Sequence, residues 1–377
     1  MNPEKVFCPN FDCPARGQVG KGNIRIHSQK EQRYVCTECG KTFSASKGTI
    51  FYRLRTDPKI VMIVLVLIAN GCPIPAIVKA FGFDERTVKN WWQRAGEHAQ
   101  GVHDHVIGQS QIDLGQVQAD EIKVKAFGRS LWMAFAIMVS TRLWLGGAVS
   151  PRRDMALIQQ VVDQVRRIAR FGPLLVAVDG LASYVTAFRK AFRTPIKTHR
   201  RSGRPTLFPW PDLVIVQVIK RRGQGRLEIK RRIVQGSRAL LDTLLQRTQR
   251  GGVINTAFIE RLNATFRQRL PWLTRRTRTL AQQSSTLTAA MYVVGALYNF
   301  CDYHHSLRVK LYTSPRRFKW VQRTPAMAAS LTDHRWTYEE FFSFKVPPPR
   351  WTPPKKRGRP SKKTLMLIEK WCQPTTV

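Results

Sequence analysis

Residues 173–178, Pro-Leu-Leu-Val-Ala-Val, are apolar except for the leading proline's turn geometry, and the run ends on Asp179. A run without polar alternation suits a strand buried on both faces, as in a parallel sheet covered by helices on each side. The preceding segment, MALIQQVVDQVRRIARFG, sets Leu157, Val161, Val165 and Ile168 at helical spacing. Before it stand three strand-like stretches, QVQADEIKVKAF, SLWMAFAIMV and RLWLGGAVS, broken by turns at Gly128-Arg129-Ser130 and Ser140-Thr141. After it come a helix near residues 182–192 and two strands, DLVIVQVIK and RLEIKRRIVQ, flanking a hairpin turn at residues 221–225. Helices resume at Ser237, near Thr256 (ending at Pro271), and over residues 286–303. The centre of the chain is therefore expected to be an α/β core.

That core carries acids where they are conspicuous. Asp120 lies inside the first strand and Asp179 ends the fourth, and ligands in α/β sheets gather near strand ends. Glu260 lies in INTAFIERLNATFRQRL, where a helical wheel puts Glu260, Asn263 and Arg267 on one stripe and Phe258, Leu262 and Phe266 opposite. Three converging carboxylates offer oxygen ligands to hard cations, Mg²⁺ or Mn²⁺. Two such ions clamp the attacking and leaving oxygens of a phosphoryl transfer. Asp120, Asp179 and Glu260 are thus the candidate catalytic metal ligands. Strand alternation sends Glu121 to the other face. Glu121, Asp154, Asp163, Asp212 and Glu228 are read as solvated or salt-bridged.

Acids are scarce, 24 against 63 Lys and Arg, for a net charge of +39. Between Arg189 and Arg238 there are 15 basic residues and only Asp212 and Glu228 as acids, so the excess is concentrated rather than spread. Such a surface implies a polyanionic partner, double-stranded DNA being the expectation. Arg267 is a candidate to steady a phosphate, with Arg261 a structural partner. The opening MNPEKVFCP is polar, and the longest apolar run, residues 60–69, is too short to span a bilayer. The expectation is a cytoplasmic, nucleoid-associated protein with no membrane partner.

Cys8 and Cys13 form C-x4-C, Cys36 and Cys39 form C-x2-C, and 22 residues separate the pairs. Thiolates at these spacings suit one tetrahedral Zn²⁺, and Gly40 after the second pair lets backbone amides face the sulfurs. Cys72, Cys301 and Cys372 are isolated and read as core or incidental. Residues 57–99 read as three helices in a helix-turn-helix, the third capped by Asp84. Its polar Arg86, Thr87, Lys89, Asn90, Gln93 and Arg94 are candidates to reach bases and phosphates, with Val88, Trp91 and Trp92 facing inward. In the tail, KKRGRPSKK carries an AT-hook-like core: Arg357, Gly358, Arg359 and Pro360 could enter an A·T minor groove.

The expected organisation is multidomain: a zinc ribbon (1–50), a helix-turn-helix (51–105), a catalytic core with a basic hairpin (112–315), and a disordered basic, Pro-rich tail (345–377). The order of zinc segment, three helices, VQADEIKV, AVDGLASY and NTAFIERLNATFRQRLPWLTRRTRTLA resembles the DDE transposases of bacterial and archaeal insertion sequences, in particular the insertion-sequence-one type. The resemblance spans roughly residues 5–315 and rests most on INTAFIERLN followed by LTRRTRTL. It implies an RNase H-like catalytic core with Asp120, Asp179 and Glu260 as metal ligands, cut-and-join chemistry on inverted repeats, and a homo-oligomer on DNA. A transposase-derived regulator without catalysis is the alternative, and a structure-selective nuclease a third reading. Ser-His-Asp chemistry has no support, since His304-His305 lack a partnered nucleophile.

Overall fold

The computed structural model describes residues 1–126, 128–196, 205–223, 226–274, 283–314, 317–353 and 360–372. The chain divides into two compact units, one of residues 1–58 with 342–377, the other of residues 59–341.

The smaller unit opens with a three-stranded antiparallel sheet, β1 (Ile24–Ser28), β2 (Arg33–Cys36) and β3 (Thr42–Ser44). Tyr34 sits opposite both Ile26 and Phe43, and its ring lies 5.8 Å from that of Phe43. Its small core combines Tyr34 and Phe43 with Val6, Ala15, Ile24 and three of the cysteines.

The larger unit begins with α1 (Pro58–Ala69), α2 (Ile74–Phe81) and α3 (Glu85–Val106). The boundaries follow from local chemistry. Gly71 and Gly82 take positive φ after the first two helices, and the Asp84 carboxylate accepts the amides of Arg86 and Thr87 at 2.8 and 3.2 Å. The third helix runs well past the expected end near residue 98. Its second half carries Ala95, Gly96, Ala99 and Val102 as a buried small-residue face, so tertiary packing extends it.

The core sheet is built from β4 (Gln116–Ala126), β5 (Arg129–Met138) and β6 (Trp144–Ser150), an antiparallel meander. Helix α4 (Met155–Ile168) leads to β7 (Leu174–Val178), which returns parallel to β4. Helix α5 (Ala182–Ala191) is followed by a small hairpin, β8 (Arg193–Ile196) with β9 (Thr206–Pro209). Then β10 (Leu213–Gly223) pairs parallel to β7, and β11 (Arg226–Gln235) pairs antiparallel to β10. The six-stranded order is β11-β10-β7-β4-β5-β6. All five residues of β7 are buried, in keeping with its unbroken apolar run.

Helices α6 (Arg238–Gln249), α7 (Ala257–Arg269) and α8 (Ser284–Phe300) complete the body. Two adjacent glycines of β6 show the layering: a Cβ at Gly146 would strike Gln164 of α4, and one at Gly147 would meet Met291 of α8 at 2.8 Å. Since neighbouring strand residues face opposite sides, α4 and α8 sandwich the sheet. Phe266 of α7 stacks 4.4 Å from Phe135, and Trp144 packs between Tyr292 and His103. Asn299 pins β6 by accepting the Trp144 amide at 2.9 Å and donating to its carbonyl at 2.8 Å.

An exposed ribbon follows, β12 (Val309–Ser314) with β13 (Arg317–Val321), then α9 (Pro325–Ala328) and α10 (Tyr338–Ser343). The last element, α11 (Lys362–Trp371), belongs to the smaller unit. The expected disordered tail is corrected here. Ser361 caps this helix, accepting the Thr364 amide at 3.2 Å, and Leu367 and Trp371, one turn apart, pack into the cysteine-bearing core. Residues 348–350 lie against Arg16 and Gly17: Arg16 donates to the Pro349 carbonyl at 2.7 Å. The basic, Pro-rich composition up to residue 363 hid a short amphipathic segment behind it.

Candidate functional site

The last β4–β7 pair is Ala119 opposite Val178. One residue further, β7 has ended and Asp179 turns off the strand, its Oδ1 accepting the Leu181 amide at 2.9 Å. Asp120 and Glu121 stand on β4 beside the space that β7 has vacated. Carboxylate oxygens of Asp120, Glu121 and Asp179 all lie within 4.8 Å of one another, a group that could hold a metal ion. Alternation does send Glu121 to the opposite face, where it meets Tyr184 of α5 and Arg153 while Asp120 meets Asn263 of α7, but its carboxylate still reaches the strand-end space shared by Asp120 and Asp179.

Each member is held by named partners. Asn263 Nδ2 donates to Asp120 Oδ2 at 2.8 Å. Tyr184 Oη donates to Glu121 Oε2 at 2.9 Å, and Arg153 ion-pairs Glu121 while reaching Asp179 Oδ2 at 3.4 Å. Burial, then the charges of Glu121, Asp179 and Glu260, push the Asp120 carboxyl up to about 7. Burial and Asp179 also raise Glu121, which Arg153 and Tyr184 oppose. The site holds more negative charge than its own cations offset.

Glu260 stands outside this tight group. It lies in the first turn of α7, half exposed, accepting from Thr256 Oγ1 at 2.7 Å and ion-pairing with Lys220 of β10. Against the upward push of burial, Lys220 and Thr256 draw its carboxyl below the usual glutamate value. It is near enough to Asp120 to contribute to the repulsion there. Gln118 fixes this helix on the strand, its Oε1 accepting the amides of Phe258 and Ile259 at 3.1 and 3.0 Å and its Nε2 donating to the Asn255 carbonyl at 2.6 Å.

The expected stripe of α7 divides. Asn263, expected to meet DNA, is buried and occupied with Asp120, because the helix faces β4 with the very side that carries Glu260. Arg267 is half-buried one turn further on. Arg153, Tyr184 and Gln118 were not singled out from the sequence, and only Gln118, two residues before Asp120 on a buried strand, carried a signal there.

On α3, Val88, Trp91 and Trp92 are buried as expected. Arg86, Lys89 and Asn90 are exposed, and Thr87, Gln93 and Arg94 are half-buried. Lys89 pairs with Glu85 at 2.8 Å. Lys89, Asn90 and Gln93 line a groove of about 700 Å³ whose other wall includes Pro271, Trp272 and Gln283. Arg357, Gly358 and Arg359 lie outside the described residues. Pro360 is exposed just ahead of the α11 cap.

In the smaller unit, the sulfurs of Cys8, Cys13, Cys36 and Cys39 all lie within 4.8 Å of one another. Cys8–Cys39 and Cys13–Cys36 are each 3.8 Å apart, about the spacing that a tetrahedral ion ~2.3 Å from each thiolate would impose. Gly40, at φ 68°, turns the chain after the second pair. Amides of Asn10, Ala15 and Lys41 bond the thiols of Cys8, Cys13 and Cys39. Burial, joined by the neighbouring thiols, pushes Cys8 up to about 12, whereas against burial the Lys41 amide and Asn10 hold Cys39 below its ordinary value. The cluster could hold a metal ion.

No helix among the described residues is long and apolar enough to cross a membrane. No protein-family model matches the chain, and no curated protein matches it.

Proposed function

We propose that the chain is a transposase, cleaving and joining DNA strands at the carboxylate cluster of an RNase H-like core. The observation that carries the reading is the convergence of Asp120, Glu121 and Asp179, with Glu260 alongside, in a protein of net charge +39. Oxygen donors with surplus negative charge fit a hard divalent cation rather than a soft one. Mg²⁺ or Mn²⁺ bound there would neutralise charge on the transferring phosphate and activate the attacking oxygen. The chain's own residues do the rest: Asn263 orients Asp120, Tyr184 and Arg153 hold Glu121, and Lys220 and Thr256 hold Glu260 until cations enter. The three-stranded meander flanked by parallel β7 supports the reading by bringing Asp120 and Asp179 to adjacent strand positions.

In the smaller unit the four thiolates fit one structural Zn²⁺, and α3 would read the inverted repeats through Arg86, Lys89 and Asn90. The test is an oligonucleotide cleavage and strand-transfer assay run beside a binding assay. Asp120→Asn and Asp179→Asn should each cut cleavage by orders of magnitude with inverted-repeat binding near wild type. Binding without cleavage by the wild type in Mg²⁺ or Mn²⁺ would replace this reading with a non-catalytic regulator.

A further inference from the structure

On the flank of α7 away from the carboxylates lies a cavity of about 290 Å³. Arg142, Arg261 and Arg269 line it with His304 and His305, and Asp302 is its one acid. Asp302 is engaged by Arg269 at 2.7 Å. Among the described residues no carboxylate pairs with Arg142 or Arg261, so two guanidinium charges are left over. Arg142 is the informative one. It occupies the β5–β6 turn at φ 59°, lies 4.0 Å over the Phe258 ring, and its buried Nη1 has no hydrogen-bond partner among the described residues. A buried, unsatisfied, charged donor is costly unless a ligand completes it. Burial and the Arg142 and Arg261 charges push His304 down to about 4, which leaves it neutral and able to accept or donate.

The wall of this cavity continues into the exposed ribbon. His304 donates its amide to the Arg323 carbonyl at 3.0 Å, and Arg323 Nε donates to the Leu307 carbonyl at 2.9 Å, which ties the base of β12–β13 to the pocket. That ribbon exposes Tyr312, Phe318 and Trp320. Cations lie over its rings, Arg308 at 4.2 Å from Trp320 and Lys310 at 4.5 Å from Phe318. Exposed aromatic faces interleaved with basic groups are a stacking platform for nucleotides. An aliphatic protein partner would leave these cations unmatched.

We propose that the Arg142–Arg261 cavity binds a phosphate group of a nucleic-acid strand whose neighbouring nucleotides lie on the β12–β13 ribbon. Two surplus guanidiniums match one phosphate, which Arg recognises through paired N–H donors. The proposal shares the nucleic-acid partner with the transposase reading but does not need the metal site, and it adds a strand-holding surface separate from α3.

The test uses the full-length protein without added divalent metal, so that failure of cleavage and failure of this site are distinguishable. Binding of a labelled random-sequence single-stranded oligonucleotide is followed against salt. Arg142→Gln and Arg261→Gln should each weaken binding several-fold and lower the salt slope by about 0.7, the value for one phosphate on a single strand. Trp320→Ala should weaken binding about tenfold with the slope unchanged. Arg142→Lys should recover most of the slope, and exposed Arg261 gives an answer if the Arg142 variants do not fold. Inorganic phosphate alone is the second arm. Phosphate that raises the melting temperature of wild type but not of Arg261→Gln, with no change in oligonucleotide binding, would assign a free-phosphate site and overturn the strand proposal. Unchanged salt slopes in both charge variants, with no phosphate effect, would overturn it entirely.

Discussion

Asn263 on α7 donates to Asp120 on β4 across 2.8 Å, joining the helix of the Arg-rich block to the strand of the carboxylate cluster. Asn263 is almost wholly buried, and its other polar side-chain atom, Oδ1, has no hydrogen-bond partner among the described residues. Its role is to fix one carboxylate, so Asn263→Ala should leave DNA affinity unchanged and lower metal-dependent cleavage. A hydrogen bond to a charged group is worth about 1.5–3 kcal/mol, or roughly 10- to 100-fold. Cleavage rates measured against Mg²⁺ concentration check this. A loss of DNA affinity with normal metal response would return Asn263 to the DNA interface.

Glu121 and Glu260 compete for the third carboxylate position. Glu121 lies within the tight group but is held by Arg153 and Tyr184, whereas Glu260 is exposed and held by a lysine that can swing away. Glu260→Gln is expected to reduce Mn²⁺ affinity, in calorimetric titration, with little change in melting temperature. Glu121→Gln is expected to keep or raise the melting temperature without metal at neutral pH, because burial and Asp179 disfavour the Glu121 charge and Arg153 keeps Asp179 as its partner. Normal Mn²⁺ binding by Glu260→Gln would leave Glu121 as the ligand.

How far the sequence revealed this site depends on the range of the interaction. The elements were readable because their signals are local: an unbroken apolar run for β7, an Asp84 cap for α3, glycine stops after α1 and α2. Asp120 and Asp179 were readable because strand ends are. The face of Glu121 follows from alternation, but the approach of its carboxylate to Asp120 and Asp179 depends on where a different strand, β7, stops much later in the chain. Arg153 and Tyr184 contact the site from separate elements and have no local pattern. The C-terminal helix was masked by the composition of the segment before it, and its reason for folding, the core around the cysteines, lies at the other end of the chain.

Asp120 links the site to pH. Its carboxyl is raised from 3.8 to about 7, so the folded chain holds this proton more tightly than the unfolded chain does. Its contribution to stability is therefore complete below about pH 4 and lost as pH climbs through about 7. A divalent cation removes that penalty by taking the proton's place. Melting temperature without divalent metal should fall between pH 5 and 8 relative to Asp120→Asn, and the rise caused by Mn²⁺ should be larger at pH 8 than at pH 5.5. Parallel profiles for the two proteins would show that Asp120 is not the titrating group.

In the smaller unit, Trp371 is 4% exposed and packs with the core that holds Cys8, Cys13 and Cys36. Removing metal with a strong chelator, or Cys36→Ser, should loosen that core and release α11, shifting tryptophan emission to the red. Trp371→Ala should cost about 3–5 kcal/mol in this unit's stability, as large-to-small core changes do, and lower its affinity for zinc. Metal analysis of the wild type should return about one zinc per chain. Unchanged zinc content in Cys36→Ser would remove the four-thiolate assignment.

The last prediction concerns α3, whose first turns carry the candidate base-reading residues and whose later turns are part of the core. Gly96 lies against Ala289 of α8 so closely that a Cβ would collide with the alanine side chain and backbone. Gly295 of the same α8 has the Trp144 ring in the place of its missing side chain. The helix that would read DNA is thus packed, glycine to alanine, on a helix that packs in turn on the six-stranded sheet. In an open helix Gly→Ala stabilises by about 1 kcal/mol. Here the clash is with backbone as well as side chain, so Gly96→Ala should destabilise by about 1–3 kcal/mol, as overpacking does. It should also move α3 relative to the sheet, reducing cleavage of an inverted-repeat substrate more than that of a random duplex. Thermal melting and cleavage of both substrates give the result. A more stable Gly96→Ala protein with unaltered substrate preference would mean that α3 and α8 part easily.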